Sequence, residues 1–319
     1  MARIVVTGGV GFIGYHVTRA LLERGDEAVV VDDFSDVPYP RVEKIRNEAD
    51  LLSAFSTVRV VRACVTDRAA MAPLVGAADA VVHLAGLAGV RPSFGDPVRY
   101  ARVNVEGTAL VQELARERGI ERFLFASSSS IYGNATPLPA REDAPAVAPE
   151  SPYAASKRSA ELVASAICRN APSMRCAALR FFTVYGARQR PEMAITRFMR
   201  AALAGQTVTM FGDGSMRRDF TYVEDIVRGV LAALDAKAPP GFRAYNLGSG
   251  APIDLASLVD AIGATAGVPL HIERAPVPLG DVDATFADIT RARTELGWTP
   301  RVSLRDGLRA VLDWVTAHP

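Results

Sequence analysis

A tyrosine and a lysine four positions apart are the residues whose spacing most clearly suggests chemistry. Tyr153 and Lys157 lie in the segment Ser-Pro-Tyr-Ala-Ala-Ser-Lys, and on a helix their side chains share one face. An ordinary tyrosine has a pKa of about 10, too high for a base at neutral pH, but a neighbouring ammonium stabilises the phenolate. The pair therefore predicts proton transfer at a hydroxyl group.

A glycine-rich turn near the start of the chain gives this pair a context. It follows a short apolar strand, contains Gly8, Gly11 and Gly14, and runs directly into a helix. Glycines at these positions permit a tight turn, a close approach of the backbone to pyrophosphate and close packing of the helix. The first N–H groups of the helix attract phosphates. A dinucleotide site beside the Tyr153–Lys157 pair predicts oxidation and reduction of an alcohol carbon.

An acidic residue at the end of the second predicted strand indicates which dinucleotide binds. The carboxylate of Asp32 is placed to accept hydrogen bonds from the adenosine ribose hydroxyls and would repel a 2′-phosphate. Asp33 is adjacent and able to share this role. The sequence therefore predicts NAD as the cofactor, in preference to NADP.

Short apolar segments alternate with helical patterns through the first half of the chain. Because the strands are continuously apolar, the pattern is typical of a parallel sheet covered by helices on both faces. We therefore predict an α/β fold with a doubly wound (Rossmann) sheet and a smaller α/β substrate-binding domain. The predicted strands are 4–7, 28–31, 58–61, 80–84 and 123–126, and the clearest early helices are 12–24 and 98–118.

A change in composition near residue 180 marks the predicted domain boundary. Beyond it the loops are longer and richer in Pro and Gly, with strands at 207–210 and 219–222 and helices at 192–204, 223–234, 254–264 and 303–317. We predict that residues 1–180, joined by about 221–247, form the NAD-binding domain. Residues 181–220 and 248–319 are then expected to form the substrate domain.

The composition limits the possible partners and compartments. The chain has 319 residues, of which 49% are hydrophobic and 22% charged, with a net charge of +1, so neither nucleic acid nor a membrane surface is expected. Strand-like sequence begins at residue 3, and no apolar run has the length of a membrane span. Cys64, Cys168 and Cys176 are widely separated, and neither they nor the histidines show metal-ligand spacing. A cytoplasmic protein without a metal is therefore expected, with His83 assigned to packing alone.

With the serine-rich segment 127–133 added to these motifs, the chain resembles the extended short-chain dehydrogenase/reductase family over nearly its whole length. Within that family it is most similar to the nucleotide-sugar epimerases. The resemblance implies that Ser128 hydrogen-bonds the reacting hydroxyl, that Tyr153 accepts its proton and that Lys157 holds the nicotinamide ribose. Similar epimerases pair through helices matching 98–118 and 153–170, which implies a homodimer. Further implied NAD contacts are Phe12, Ile13, Val65, Leu84, Ala85 and Gly86.

The segment 211–223 resembles the pocket for the nucleoside diphosphate in these epimerases. Phe211 would stack on uracil, and the guanidinium of Arg218 would contact the diphosphate. Thr209 and Asp281 match further substrate positions. The resemblance therefore implies a UDP-sugar substrate. One departure concerns the cofactor, since Cys64 stands where the family usually has an adenine-binding aspartate, leaving the backbone of Val65 for that contact.

The same resemblance bears on the reaction. Related sugar dehydratases carry an Asp-Glu pair where this chain has Ser129 and Ser130, so the acid and base for loss of water are missing. The segments 88–91 and 180–194 resemble the uronate-specific branch, the UDP-glucuronate 4-epimerases. There, hydroxyls matching Ser129, Ser130 and Thr183 surround the sugar carboxylate, with an arginine matching Arg190 nearby. A buried carboxylate needs such donors.

The expected function is therefore NAD-dependent interconversion of UDP-glucuronate and UDP-galacturonate through a 4-keto sugar. A 4-keto uronate is a β-keto acid that readily loses carbon dioxide, so an epimerase must hold the carboxylate away from the alignment that permits cleavage. UDP-glucuronate decarboxylase and UDP-glucose 4-epimerase remain as alternative enzymes. A non-catalytic NAD-binding sensor remains as an alternative of another class, because a fold does not fix an activity.

Overall fold

The strands of the chain are short, and most are buried on both faces. In the computed structural model, which describes residues 1–318, they are β1 (Arg3–Thr7), β2 (Glu27–Asp32), β3 (Val58–Arg62), β4 (Ala80–His83), β5 (Arg122–Ser128), β6 (Arg175–Phe181), β7 (Thr183–Tyr185), β8 (Thr207–Phe211), β9 (Arg217–Arg218), β10 (Phe220–Tyr222), β11 (Gly241–Leu247), β12 (Ile253–Asp254) and β13 (His271–Ala275).

Helices follow most of the strands in the first half of the chain, and further helices lie in the second half. Over both halves they are α1 (Phe12–Glu23), α2 (Arg41–Ala54), α3 (Arg68–Val75), α4 (Val90–Gly95), α5 (Pro97–Ala101), α6 (Gly107–Glu117), α7 (Pro152–Cys168), α8 (Ala194–Leu203), α9 (Val223–Asp235), α10 (Leu255–Ala266), α11 (Thr290–Leu296) and α12 (Leu304–Ala317). Among residues 1–318, no helix is both long and apolar enough to cross a membrane.

Seven parallel strands form the central sheet, in the order β3-β2-β1-β4-β5-β6-β11. The order reverses direction between β1 and β4, and in open sheets of this kind ligands bind beyond the carboxyl ends of the strands at that reversal. The glycine-rich turn follows β1, and the serine-rich segment begins in β5. The topology therefore brings both predicted motifs to one edge of the sheet.

The core lies on both faces of this sheet. In β1, Ile4 and Val6 pack with residues of α1 and α9, whereas Val5 faces the opposite side with residues of α6 and α7. This double burial explains why the strands carry no polar alternation. The predicted doubly wound α/β fold is confirmed.

The second half of the chain is divided between the large sheet and small ones. Strand β11 returns to the edge of the large sheet, where Tyr245 lies opposite Leu179 of β6. The remaining late strands form two-stranded sheets in the pairs β7–β10, β8–β13 and β9–β12. Short strands joined by long loops therefore build the wall that faces the carboxyl edge of the large sheet.

Candidate active site

All the predicted site residues line one cleft of about 630 Å³ at the carboxyl edge of the large sheet. Those with a predicted cofactor role are Gly8, Gly11, Phe12, Ile13, Gly14, Asp32, Asp33, Val65, Leu84, Ala85 and Gly86. Those predicted to be catalytic are Ser128, Tyr153 and Lys157, and those predicted to bind substrate are Ser129, Ser130, Thr183, Arg190, Thr209, Phe211, Arg218 and Asp281.

The glycine-rich turn leaves space that a larger residue would fill. Gly8 has a φ of +70°, and a Cβ there would lie 2.6 Å from the backbone nitrogen of Ala85. A Cβ on Gly14 would lie 2.0 Å from the carbonyl oxygen of Gly8. Gly11 precedes α1, whose first N–H groups point out of the helix end toward an anion. This cradle fits a dinucleotide pyrophosphate.

A buried lysine completes the ribose end of the cleft. Lys44 Nζ lies 2.8 Å from Asp32 Oδ1 and 3.5 Å from Asp33 Oδ1, and the backbone N–H of Phe34 also donates to Asp32 Oδ1. Burial raises the pKa of Asp32 and Lys44 opposes that shift. Sequence reasoning missed Lys44 because it lies on α2, which carries a weak apolar pattern and was not predicted.

The serine-rich segment turns sharply at the end of β5. Ser129–Tyr132 form a 3₁₀ turn, and Ser128 caps it by accepting a hydrogen bond from the backbone N–H of Ser130 at 3.2 Å. The Ser128 hydroxyl donates to the Ser130 hydroxyl at 3.1 Å. The strand end thus presents adjacent hydroxyl groups to the cleft.

Helix α7 positions the Tyr-Lys pair. Ser151 caps the helix by accepting from the backbone N–H of Ala154. The ammonium of Lys157 donates to the carbonyl of Ala126 in β5 at 2.8 Å. Burial lowers the pKa of Lys157 to about 8, which Glu161 opposes.

The spacing of Tyr153 and Lys157 predicts a lowered pKa for the tyrosine, but the pKa is raised in the structure. Burial raises the pKa of Tyr153, and a hydrogen bond with Ser128 and the positive charge of Arg190 oppose that increase. The ammonium of Lys157 donates instead to the main chain of β5. The phenolate that a base requires is therefore opposed by burial and favoured by Ser128 and Arg190.

An asparagine behind the pair was missed from the sequence. The helix predicted at 98–118 is interrupted by a π-helical turn at Arg102–Glu106, which carries the buried Asn104. Its side chain donates to the carbonyl of Leu87 at 3.0 Å and to the hydroxyl of Ser156 at 2.9 Å, and it accepts from the N–H of Leu87. The turn therefore fixes the loop after β4 against α7. Hydrophobic periodicity contains no signal for such an interruption.

A buried ion pair supports the serine-rich segment from below. Glu161 accepts from the Ser127 hydroxyl at 2.6 Å and from Arg180 at 2.9 and 2.8 Å. Arg180 also donates to the hydroxyl of Tyr132, which donates to Asn246. The network joins α7, β5, β6 and β11 beneath the reactive side chains.

His83 forms a separate buried contact. Its two ring nitrogens lie 2.7 Å from Thr7 Oγ1 and 3.1 Å from Thr108 Oγ1. Burial lowers the pKa of His83 to about 3, so the ring is neutral at pH 7. This environment agrees with the packing role expected from the sequence.

The opposite wall of the cleft is rich in arginine. Arg218 donates to Asp281 Oδ1 at 2.9 Å, and the guanidinium of Arg91 lies 4.2 Å from the ring centre of Phe211. Arg91 also lies 3.7 Å from Asp281 Oδ2. Arg197, which sequence reasoning missed, donates to the carbonyl of Thr209. These cations give the wall the charge that a diphosphate requires.

A further arginine approaches the reaction centre itself. The side chain of Arg190 is 16% exposed, lies 3.3 Å from Glu192 and is close enough to lower the pKa of Tyr153. Thr183, at the start of β7, also lines the cleft. The hydroxyl and guanidinium groups predicted to surround a sugar carboxylate therefore all line this one cleft.

Residues 4–248 match the model of the NAD-dependent epimerase/dehydratase family. The chain belongs to this family. The UDP-glucuronate 4-epimerase of Thermodesulfobacterium geofontis is 34% identical over 98% of this chain and 96% of that relative. The predicted family, enzyme class and NAD dependence are confirmed.

Solved structures of family members resemble the chain over its whole length. The UDP-glucuronic acid 4-epimerase of Bacillus cereus, solved with UDP-glucuronic acid and NAD, has a TM-score of 0.91 and 33% identity and covers 99% of each chain. The UDP-glucose 4-epimerase of Thermotoga maritima, solved with UDP-glucose, has a TM-score of 0.88 and 30% identity with the same coverage. The fold is therefore shared by epimerases of a uronate and of a neutral sugar, and the side chains of the cleft must distinguish them.

Proposed function

We propose that this chain interconverts UDP-glucuronate and UDP-galacturonate by oxidation and reduction at C4 of the bound sugar. The observation that carries this proposal is the placement of Thr183 and Arg190 in the cleft that holds Ser128 and Tyr153. A uronate carboxylate taken from water needs donors or a cation, and a neutral sugar has no use for the guanidinium. The similarity to UDP-glucuronate 4-epimerases supports the same substrate.

The side chains of the reaction centre transfer the proton of the sugar 4-hydroxyl and position C4 of the sugar. Tyr153 takes the proton of the 4-hydroxyl, and the Ser128 hydroxyl, within hydrogen-bonding reach of that phenol, orients the reacting oxygen. Lys157, fixed on Ala126, is placed to hold the nicotinamide ribose. NAD, when bound, supplies the hydride acceptor and then the donor. The 4-keto sugar turns over in the cleft, and Tyr153 returns the proton after reduction from the other face.

The carboxylate site explains why epimerisation is favoured over decarboxylation. Ser129, Ser130, Thr183 and Arg190 all line the cleft, and we propose that their hydroxyl and guanidinium groups hold the carboxylate. Several donors fix the position of the carboxylate carbon relative to the sugar ring, which keeps the C5–C6 bond out of alignment with the π system of the C4 carbonyl. A decarboxylase would have to permit that alignment.

The nucleotide end of the substrate fits the arginine-rich wall. Phe211 offers an aromatic surface for the base, and Arg218 supplies a planar fork of donors for the diphosphate. We propose that residues 1–180 with about 221–247 bind NAD. Residues 181–220 and 248–319 then bind the nucleotide sugar.

Product analysis tests the proposal. Purified protein incubated with UDP-glucuronate is expected to give UDP-galacturonate, identified by NMR and mass spectrometry. Release of carbon dioxide with a UDP-pentose would instead identify a decarboxylase, and turnover of UDP-glucose alone would identify a neutral-sugar epimerase. Bound NAD without turnover of any of these sugars would identify a sensor.

We further propose a two-fold symmetric homodimer in a reducing, cytoplasmic compartment. The neighbouring helices α5 and α7 expose apolar side chains, with Val98 76% and Leu162 56% accessible. Two copies of these faces would bury each other as a helical bundle. Cys64, Cys168 and Cys176 are free thiols, which suits a reducing environment. Sedimentation of the purified protein measures its oligomeric state.

A further inference from the structure

The loop that carries Arg190 contains an arginine held in an unusual backbone conformation. Arg188 has a φ of +65°, in the left-handed region that few residues other than glycine adopt. Its guanidinium lies 4.0 Å from the ring centre of Tyr15 and 4.9 Å from that of Trp314. Such strain persists where surrounding contacts impose it. Arg188 is therefore fixed by its neighbours rather than by its own preference.

Helix α2 supplies the polar half of this environment. The guanidinium donates to the Asn47 side-chain oxygen and to the Asp50 carboxylate, and the Arg188 side chain is only 13% exposed. Its carbonyl oxygen accepts from the hydroxyl of Tyr39 at 2.9 Å. Both the side chain and the backbone of Arg188 are therefore attached to the cofactor-binding half of the molecule.

Asn47 connects this attachment to the glycine-rich turn. Its amide nitrogen donates to the carbonyl of Val10, at 2.9 Å, between Gly8 and Gly11. A second link runs through α1, where His16 Nε2–H donates to the carbonyl of Ala187 at 2.9 Å. Burial lowers the pKa of His16 to about 4, so this donor is a neutral ring at pH 7. The loop thus contacts helix α1 directly and is linked to the turn through Asn47.

The loop is also held on its substrate side. Gln189 donates to the carbonyl of Val184 at 2.7 Å, and Thr196 donates to the Gln189 side-chain oxygen at 3.1 Å. Arg190 follows immediately and faces the cleft near Tyr153. A continuous set of contacts therefore runs from the cofactor turn, through Asn47 and Arg188, to the guanidinium proposed to meet the sugar carboxylate.

We propose that Arg188 is a positioning residue that makes binding of the dinucleotide and of the sugar carboxylate mutually dependent. This inference rests on the proposed function, because it assigns the carboxylate to Arg190. If the turn and the loop change conformation together, NAD bound at the turn strengthens binding of the sugar carboxylate at the loop. The carboxylate then strengthens NAD binding by the same factor. If the Arg188 contacts served only to pack α2, their removal would lower the stability of the protein. It would leave the mutual dependence of NAD and carboxylate binding unchanged.

The test compares NAD affinity under two conditions. Protein stripped of NAD is titrated with NAD by calorimetry in the presence of saturating UDP or of saturating UDP-glucuronate. The quantity of interest is the ratio of the NAD affinity with UDP-glucuronate to the NAD affinity with UDP. In the wild type, this ratio is expected to be at least ten. In Arg188→Ala this ratio is expected to fall below about threefold, and Arg188→Lys, which keeps the charge but loses the planar fork, should lie between.

Two variants guard against trivial outcomes. Arg68→Ala removes an exposed arginine that pairs with Glu113 and Glu117 away from the cleft, and it should retain the wild-type ratio. If Arg188→Ala does not fold, Asn47→Ala removes the link to the turn, leaves Asp50 and the aromatic contacts in place, and should lower the ratio in the same way.

Separate results overturn the inference and the proposed function. The coupling is overturned if a folded Arg188→Ala variant keeps the wild-type ratio of NAD affinities. It is also overturned if UDP-glucuronate and UDP affect NAD binding to the wild type equally, even if UDP-galacturonate is formed. Failure of the wild type to convert UDP-glucuronate overturns the function. These two outcomes are read from different assays, calorimetry and product analysis.

Discussion

The two sides of the cleft hold their functional side chains in different ways. On the sheet side, Lys157 is tied to the main chain of β5, and Ser128 caps the turn that follows it. On the opposite wall, Arg218 is paired with Asp281, and Arg91 covers one face of Phe211. The reactive groups thus depend on the backbone, whereas the recognition groups depend on one another. Recognition is therefore the part that substitution changes most easily without disturbing the chemistry.

The largest effect is expected from the sheet side. Tyr153→Phe removes the group that carries the proton, so turnover of UDP-glucuronate should fall by about 10³-fold. The content of bound NAD should stay unchanged, because the ring remains in place. Turnover is measured by NMR and bound NAD by absorbance after denaturation. Tyr245→Phe is the matched control and should retain activity, since Tyr245 of β11 loses only a hydroxyl that donates to Glu295 of α11. Wild-type turnover in the Tyr153 variant would contradict the mechanism.

A smaller and more selective effect is expected from the opposite wall. Arg190→Ala removes a cation from the proposed carboxylate site, so kcat/KM for UDP-glucuronate should fall about 30-fold. Any residual activity toward UDP-glucose should change much less, since that sugar has no carboxylate. Initial rates with both sugars measure the difference. Equal losses for both would place Arg190 in the general chemistry instead of in recognition.

A change in product is expected from the hydroxyl at the start of β7. Thr183→Val keeps the shape of the side chain but removes a donor, which should lower uronate turnover about fivefold to tenfold. The looser carboxylate should also allow some loss of carbon dioxide, detected as a UDP-pentose by mass spectrometry. Thr265→Val, whose hydroxyl bonds within α10, serves as the control. An unchanged rate and a single product would remove Thr183 from the carboxylate site.

The last effect is one on stability in acid, not on turnover, and it concerns the sheet side. Because the pKa of folded His83 is lowered to about 3, the unfolded chain binds its proton first as the pH falls below about 6.5. Stability should therefore decrease with falling pH by about 1.4 kcal/mol per unit between these values. His83→Gln should remove this part of the slope in urea unfolding measured from pH 6.5 to 4.5. Identical slopes would show that folding does not lower the pKa of His83.

The sequence predicted the sheet side more completely than the wall. Continuous apolar strands and the spacing of Gly8, Gly11 and Gly14 indicated both the fold and the cofactor cradle, because backbone geometry imposes them. The π-helical turn that carries Asn104 was missed because the side chain of this residue bonds to Leu87 and Ser156, which lie in other parts of the chain. Lys44 was missed for a similar reason, because its ion pair with Asp32 depends on how α2 packs against the end of β2.

On the wall, the family resemblance named residues, but the pairing between them came from the structure. Arg218 and Asp281 are far apart in sequence, so no local pattern predicts that they bond. The same holds for Arg188, whose partners come from α1, α2 and α12. Contacts made by long side chains across loops are set by the tertiary arrangement alone.

The fate of the hydrogen at C4 tests the central claim most directly. UDP-glucuronate carrying deuterium at C4 is incubated with the protein, and the product is examined by NMR and mass spectrometry. The account predicts UDP-galacturonate that retains deuterium at C4, because the hydride taken from C4 returns to C4 of the same sugar without exchange with solvent. Loss of the label to solvent, or a UDP-pentose as the main product, would contradict it.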